Sequence, residues 1–227
     1  MECPLCMRSI WGYTNSVDQF PNGDILLSIR HMNKVIRVDK KTGNIVWEWG
    51  PEHLLGHQHD AVILENGNIT IFDNGHHRKP LKSGDPSEIS SFTTSRIVEV
   101  NPQTNEIVWE YKDPMFMIFT NFAGNAQRLP NGNTFFCESR TGTFYEVTYD
   151  KEMVWKYESP FILSREKMWG WTESKMVAQA HRYGTDFEGL KGKDLDPDKF
   201  EWIIRKKSIE TLSEEERIKN RLAMAGY

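Results

Sequence analysis

Histidine is concentrated in one stretch of this sequence. Of the seven histidines, five fall between His53 and His77, in the run HLLGHQHDA that starts at His53 and the run FDNGHHR that ends at Arg78. Imidazole titrates near neutral pH, so it can serve as nucleophile, general acid or anion donor. A guanidinium beside it offers a planar donor fork to sulfate or phosphate oxygens. The spacing favours His59 with Arg78. Asp60–Leu64 and Asn68–Phe72 read as a hairpin, with Gln58 and His59 at its entry and Arg78 just past its exit. His53, His76 and His77 read as solvated loop residues, and His57 is open to either reading. A zinc site of His53, His57 and His59 has no evident carboxylate or Cys to complete it, so no metal is expected. Cys3 and Cys6 form a lone C-x-x-C and Cys137 stands apart, which reads as structural or incidental thiols.

The elements that must position these residues follow one template. Val17 to Trp49, Asp60 to Tyr111 and Gly124 to Tyr157 each carry an Asn-Gly pair: Asn22-Gly23, Asn66-Gly67 and Asn131-Gly132. Asn-Gly predicts a type I′ hairpin turn, with positive φ at both residues. A strand-length apolar stretch follows each pair (Asp24–Ile29, Asn68–Phe72, Asn133–Cys137), then a third strand (Lys34–Val38, Arg96–Val100, Thr143–Val147). A fourth strand closes each segment, Ile45–Trp49, Ile107–Tyr111 or Met153–Tyr157, and carries Trp47, Trp109 or Trp155, expected to pack between neighbouring sheets. Four short antiparallel strands with a recurring Trp predict an all-β fold of propeller blades, at about 15–50, 57–113 and 124–159 within residues 1–160. The second segment has a polar insertion between Gly75 and Ser95, expected to be a surface loop. Residues 161–227 diverge into an irregular to helical tail, with Ser213 and Glu216 matching a capping box ahead of Ile218 and Leu222. Three blades do not close a ring, so the expectation is a fragment, a homo-oligomer or a divergent blade supplied in part by the tail.

Composition narrows the function classes. Twelve Phe, eight Trp and seven Tyr, with 38% hydrophobic residues, support a packed core over disorder. A net charge of -4 gives no basic footprint for nucleic acid, so no nucleic-acid partner is expected. No apolar run approaches the roughly 20 residues of a membrane span. The N-terminus MECPLCMRSIW does not read as a signal peptide, and the compartment stays open.

Gln58-His59-Asp60-Ala61, followed by the stretch Gly67 to Gly75 and by Arg78, resembles the signature of arylsulfotransferases. So do Asn15-Ser16-Val17 with Gly23 to Ser28, and Ser95 to Glu99. The third segment and His181-Arg182-Tyr183 resemble a broader branch of that family, so the resemblance covers roughly Asn15 to Leu195. It implies part of a six-bladed propeller that moves a sulfuryl group from an aryl sulfate to a phenol through a sulfated histidine. No nucleotide donor or other cofactor is expected, and the partner is a small anionic aryl substrate. Carried over by motif, His59 and Arg78 would bind the sulfuryl oxygens, with His57, Gln58, Asn74 and Arg96 at the substrate. Two departures stand out. Tyr13 and Thr14 occupy the place where a His commonly precedes the Asn-Ser-Val motif, and Thr141–Thr143 lacks the family's nucleophile His. His181 is the candidate substitute. The alternative is a non-catalytic propeller that binds a protein or glycan through its loops.

Overall fold

A computed structural model of the chain describes residues 9–51, 54–78, 94–115, 117–161, 163–164 and 173–196. The Cys3 and Cys6 pair, His53, residues 79–93 of the insertion, Trp169-Gly170-Trp171 and the helix expected at Ser213 to Leu222 lie outside the described residues. The chain forms two compact units, Met1–Arg182 and Tyr183–Tyr227. In the second, the rings of Tyr183 and Phe187 pack 4.3 Å apart beside a 3-10 turn at Glu188–Leu190.

The first unit is all-β, built from three four-stranded antiparallel sheets of propeller-blade form. The first holds β1 (Thr14–Gln19), β2 (Ile25–Ile29), β3 (Lys34–Val38) and β4 (Ile45–Trp49), paired in that order. The second holds β5 (His59–Ile63), β6 (Ile69–Asp73), β7 (Arg96–Asn101) and β8 (Glu106–Lys112). The third holds β9 (Asn125–Arg128), β10 (Thr134–Glu138), β11 (Thr143–Val147) and β12 (Met153–Glu158). Leu163–Ser164 and Glu173–Ser174 add a short pair, β13 and β14. A bulge interrupts the third-to-fourth strand pairing of every sheet, at Arg37/Val38, Glu99/Val100 and Glu146/Val147.

The Asn-Gly hairpins differ from the expected type I′. Only the glycines take positive φ, at 91°, 82° and 86° for Gly23, Gly67 and Gly132. Each glycine N–H closes a four-residue turn on the carbonyl of Phe20, Leu64 or Leu129. The Asn keeps an ordinary backbone because its side chain has another use. Oδ1 of Asn22, Asn66 and Asn131 accepts the N–H two residues on, at 3.0–3.1 Å. This is the longer hairpin form that ends in a left-handed glycine.

The core fills the two seams between sheets. Strand β6 is buried throughout, and its two faces serve different seams, as the period-2 alternation of a strand dictates. Ile69 and Ile71 join Leu26, Val35, Trp49, Val98 and Val100 against the first sheet. Phe72 joins Ile97, Trp109, Tyr111, Phe136 and Val147 against the third. Each such side chain contributes roughly 1.5–3 kcal/mol when fully buried.

Polar clasps set the seams in register, and the same device recurs. Ser16 Oγ accepts the N–H of Ala61 at 3.0 Å, Asp60 Oδ2 that of Ala126 at 3.0 Å, and Asn125 Oδ1 that of Ala180 at 2.8 Å. Two residues along, Asp18 accepts from Ile63 N–H and Gln127 from Arg182 N–H. Ala180 and Arg182 therefore stand to β9 as β5 stands to β1, in the place of a fourth inner strand. The outer edges are tied as well: Trp47 Nε1–H donates to Asn105 Oδ1, and Trp109 Nε1–H to the carbonyl of Tyr149. Trp155, at the matching position, is 38% exposed on the outer face of the third sheet, where Arg182 stacks over it at 4.3 Å. No helix among the described residues is long and apolar enough to cross a membrane.

Candidate functional site

Antiparallel alternation puts the links 29–34, 49–59, 73–78 and 112–125 at one end of the sheets, and the Asn-Gly turns at the other. Asp73, at the end of β6, organises the link end. Its carboxylate accepts from Arg78 Nη2 at 2.5 Å and Arg96 Nε at 2.8 Å. Oδ1 of the same group takes the N–H of Gly56 at 2.8 Å and of Gly75 at 3.2 Å. Burial works against this charge, yet Arg78 and Arg96 hold the carboxyl below its ordinary range. Arg96 also bonds Glu110 and the carbonyl of Leu54. A Cβ on Gly56 would come within 2.7 Å of the Gly75 carbonyl carbon, so only glycine allows the two links to touch.

His59 is a cross-sheet staple. Nε2 accepts the N–H of Ala123 at 3.2 Å, which leaves Nδ1 to donate to Asn74 Oδ1 at 2.7 Å and the His57 carbonyl at 3.1 Å. Asn74 passes the connection on, donating to the carbonyls of Thr120 and Ala123. Burial, the largest influence, pushes His59 down to about 4, so the ring is neutral at neutral pH. Gln58 Nε2 reaches the Ser28 hydroxyl and the carbonyls of Ile29 and Lys34, which ties β5 to the first sheet. Thus His59 is bonded to Asn74; Arg78 and Arg96 are bonded to the adjacent Asp73, and Gln58 is bonded to the first sheet instead.

A second group of imidazoles gathers beside these residues. The ligand nitrogens of His57, His76 and His77 all lie within 4.8 Å of one another. His76 and His77 stack with ring centroids 3.7 Å apart, and His57 meets them edge-on at 5.5 and 4.9 Å. His31 approaches His57 at 5.7 Å and stacks on Tyr13 at 5.4 Å. Its Nδ1–H donates to the Ile10 carbonyl at 2.8 Å, the tautomer that carries its lone pair on Nε2. The Arg30 guanidinium lies over Tyr13, 5.6 Å from the ring centre. Phe119 lies 6.4 Å from His76.

Burial, then Arg30 and the neighbouring imidazoles, pushes His57 down to about 2. Burial and the His77 ring take His76 to about 4, and burial with Arg30 lowers His77. The backbone is strained here too. Among the described residues, six of the eight non-glycine positions with positive φ, Tyr13, Asn33, His57, Asp60, His77 and Ala123, sit at this end. Such positions persist only where surrounding bonds hold them, as Asn33 Oδ1 holds the N–H of His57 at 2.8 Å.

His76 and His77 were expected to be solvated; both are half-buried against His57. Arg30 and His31 were not singled out from sequence, although the β2–β3 connection opens at the same end as the link before β5. His181 is not with these groups. It lines a groove of about 640 Å³ between the second and third sheets, with Val62, Glu99, Arg128 and Tyr149. Nearby Asp60 is raised to about 6, by burial above all. Cys137 is buried, with its thiol pushed up to about 12, and donates to the Val177 carbonyl. At the place where a nucleophile His was sought, Thr141 bonds Glu138 and Thr143.

Residues 8–160 match the sequence profile of the family described as Arylsulfotransferase (ASST). No curated protein matches the chain. Among solved structures, it is similar to a protein of unknown function from Bacteroides caccae, at 18% identity over 64% of this chain and 45% of that one, with a TM-score of 0.45. A catalytically inactive virginiamycin B lyase from Staphylococcus aureus, with quinupristin, gives 14% over 66% and 42%, with a TM-score of 0.46. A streptogramin B lyase gives 15% over 71% and 45%, with a TM-score of 0.45. The chain spans less than half the length of these three structures.

Proposed function

The chain belongs to the arylsulfotransferase family, and from that premise we propose that it moves a sulfuryl group from an aryl sulfate to a phenolic acceptor. The transfer runs through a histidine and uses no nucleotide donor. The observation that carries this reading is the convergence of Arg30, His31 and the neutral rings of His57, His76 and His77 with the aromatic faces of Tyr13 and Phe119. An aryl sulfate needs both components: a donor fork for its oxygens and a flat apolar surface for its ring.

His31 is the nucleophile in this scheme. With Nδ1 held as a donor to the Ile10 carbonyl, its Nε2 lone pair attacks sulfur while the sulfur–oxygen bond to the aryl group breaks. The phenolate leaves and takes a proton from solvent. The acceptor phenol oxygen then attacks sulfur, the sulfur–nitrogen bond breaks, and the phenol proton passes to solvent as the neutral imidazole is restored. Arg30 bears the charge that builds on the sulfuryl oxygens. Gln58, His59, Asn74, Arg78 and Arg96 act as positioning residues: they hold the links that carry the imidazoles.

p-Nitrophenyl sulfate with phenol as acceptor tests the proposal. Nitrophenol release should depend on phenol and follow ping-pong kinetics, and His31→Ala and Arg30→Ala should each lower it by about a hundredfold. No acceptor-dependent release by the wild-type protein would overturn the function, and full activity in His31→Ala would overturn the choice of nucleophile.

A further inference from the structure

We infer that His57, His76 and His77 form a binding site for a divalent transition-metal ion, zinc foremost. The inference concerns binding alone and does not rest on sulfuryl transfer.

Three imidazoles from two separate links bring their ligand nitrogens within 4.8 Å of one another. A tetrahedral zinc ion takes nitrogens at about 2.0–2.1 Å, which sets them about 3.3 Å apart. Closing that gap requires the stacked rings of His76 and His77 to turn out of their stack so that both lone pairs reach one ion. Consecutive residues on an extended chain point to opposite sides, but His77 at φ 55° turns the chain so that its ring stacks on His76. His57 at φ 58° directs its ring edge-on toward the pair. Two strained backbone positions thus serve one convergence.

The framework beneath explains why the convergence persists. The Asp73 carboxylate takes the N–H groups of Gly56 and Gly75, the residues just before His57 and His76. The Asn33 side chain takes the N–H of His57 itself. This is the backing that ligand-bearing loops require. An all-imidazole set suits zinc, copper or nickel over magnesium or calcium. His57 is buried while His76 and His77 are half-exposed, so an ion has a route in from the side of that pair.

The test uses the full chain, stripped with chelator and titrated with zinc, with bound metal counted by elemental analysis after dialysis. Cys3→Ser/Cys6→Ser serves as background, because a C-x-x-C can bind zinc by itself. One zinc per chain should remain in that background. His76→Ala and His77→Ala should each weaken binding by about a hundredfold, with the circular dichroism spectrum unchanged. His57 is buried, so His57→Ala is not needed to decide. Cobalt in place of zinc should give visible absorption bands that His77→Ala abolishes. Absence of zinc binding in the cysteine-free background, or binding unchanged in His76→Ala/His77→Ala, would overturn the site.

Discussion

His57 and His59 stand two residues apart on one link, and their surroundings differ in kind. His59 spends both ring nitrogens inside the protein, joining the start of β5 to Asn74 and to the backbone of Ala123. His57 turns the other way through a left-handed backbone and gathers with His76 and His77. One imidazole is committed to architecture. The other belongs to a group whose nitrogens lie within 4.8 Å of one another. The contrast teaches that a histidine within a family motif can be spent on joining strands while its neighbour two residues away turns toward other imidazoles.

The sharpest break of this contrast is Asp73→Ala, which removes the anchor both regions share. Two buried guanidinium groups and two backbone N–H groups lose their acceptor, so the variant should lose about 3–5 kcal/mol in denaturant unfolding. Its zinc binding should fall in step as the two links separate. A variant as stable as the wild type would show that the framework does not depend on this carboxylate.

His59→Ala comes next. It orphans Asn74 Oδ1 and the Ala123 N–H and leaves a cavity, for a loss of about 3 kcal/mol. The pH profile separates this role from a catalytic one. His59 is held near 4 when folded, against 6.5 for the free side chain. Its contribution is therefore complete above pH 6.5 and is lost as pH falls toward 4, a swing of about 3 kcal/mol. Unfolding titrations across that window should show the loss in the wild type and a flatter profile in His59→Ala.

Asp60 acts with the opposite sign. Its carboxyl is raised to about 6, so it costs stability above that pH, and the cost is relieved as pH falls from about 6 to 3.8. Asn125, its counterpart in the next sheet, accepts the same kind of N–H without a charge. Asp60→Asn should keep the clasp, suit the φ of 51°, and stabilise the protein by about 1–2 kcal/mol at pH 8. With the opposing term removed, the acid loss due to His59 should steepen.

The smallest effect on stability belongs to the open region. His77→Ala should shift unfolding by less than about 0.5 kcal/mol. If it costs as much as His59→Ala, the two histidine groups do not differ as described.

Strand positions were legible because burial imposes a period of two: Lys34–Val38, Ile45–Trp49 and Thr143–Val147 lie where the apolar pattern puts them. The all-β architecture followed from the same signal. The turn type at Asn22, Asn66 and Asn131 is not encoded by the Asn-Gly pair alone, because an Asn side chain can cap a turn as readily as its backbone can enter the left-handed region. The places of His59 and Arg78 at the ends of one hairpin were visible, but hairpin logic does not say that the His59 ring is bonded to Asn74 and Ala123 while Arg78 is bonded to Asp73. His31 and Arg30 were missed for a related reason. They lie 26 or more residues before His57 in sequence, and only the stacking of one sheet on another brings them near. Trp155 repeats the pattern of Trp47 and Trp109, yet its exposure depends on what lies beyond the third sheet, which no local pattern encodes.

The clasps between inner strands have a direction. Ser16, Asp60 and Asn125 each offer an oxygen forward to the next inner strand, and the amides of Ala61, Ala126 and Ala180 face back to receive it. An order that is all hooks on one side and all eyes on the other has no two-fold axis. Any further segment or subunit that extends this seam must therefore join head to tail, giving a closed ring where the rotation allows and an open filament where it does not.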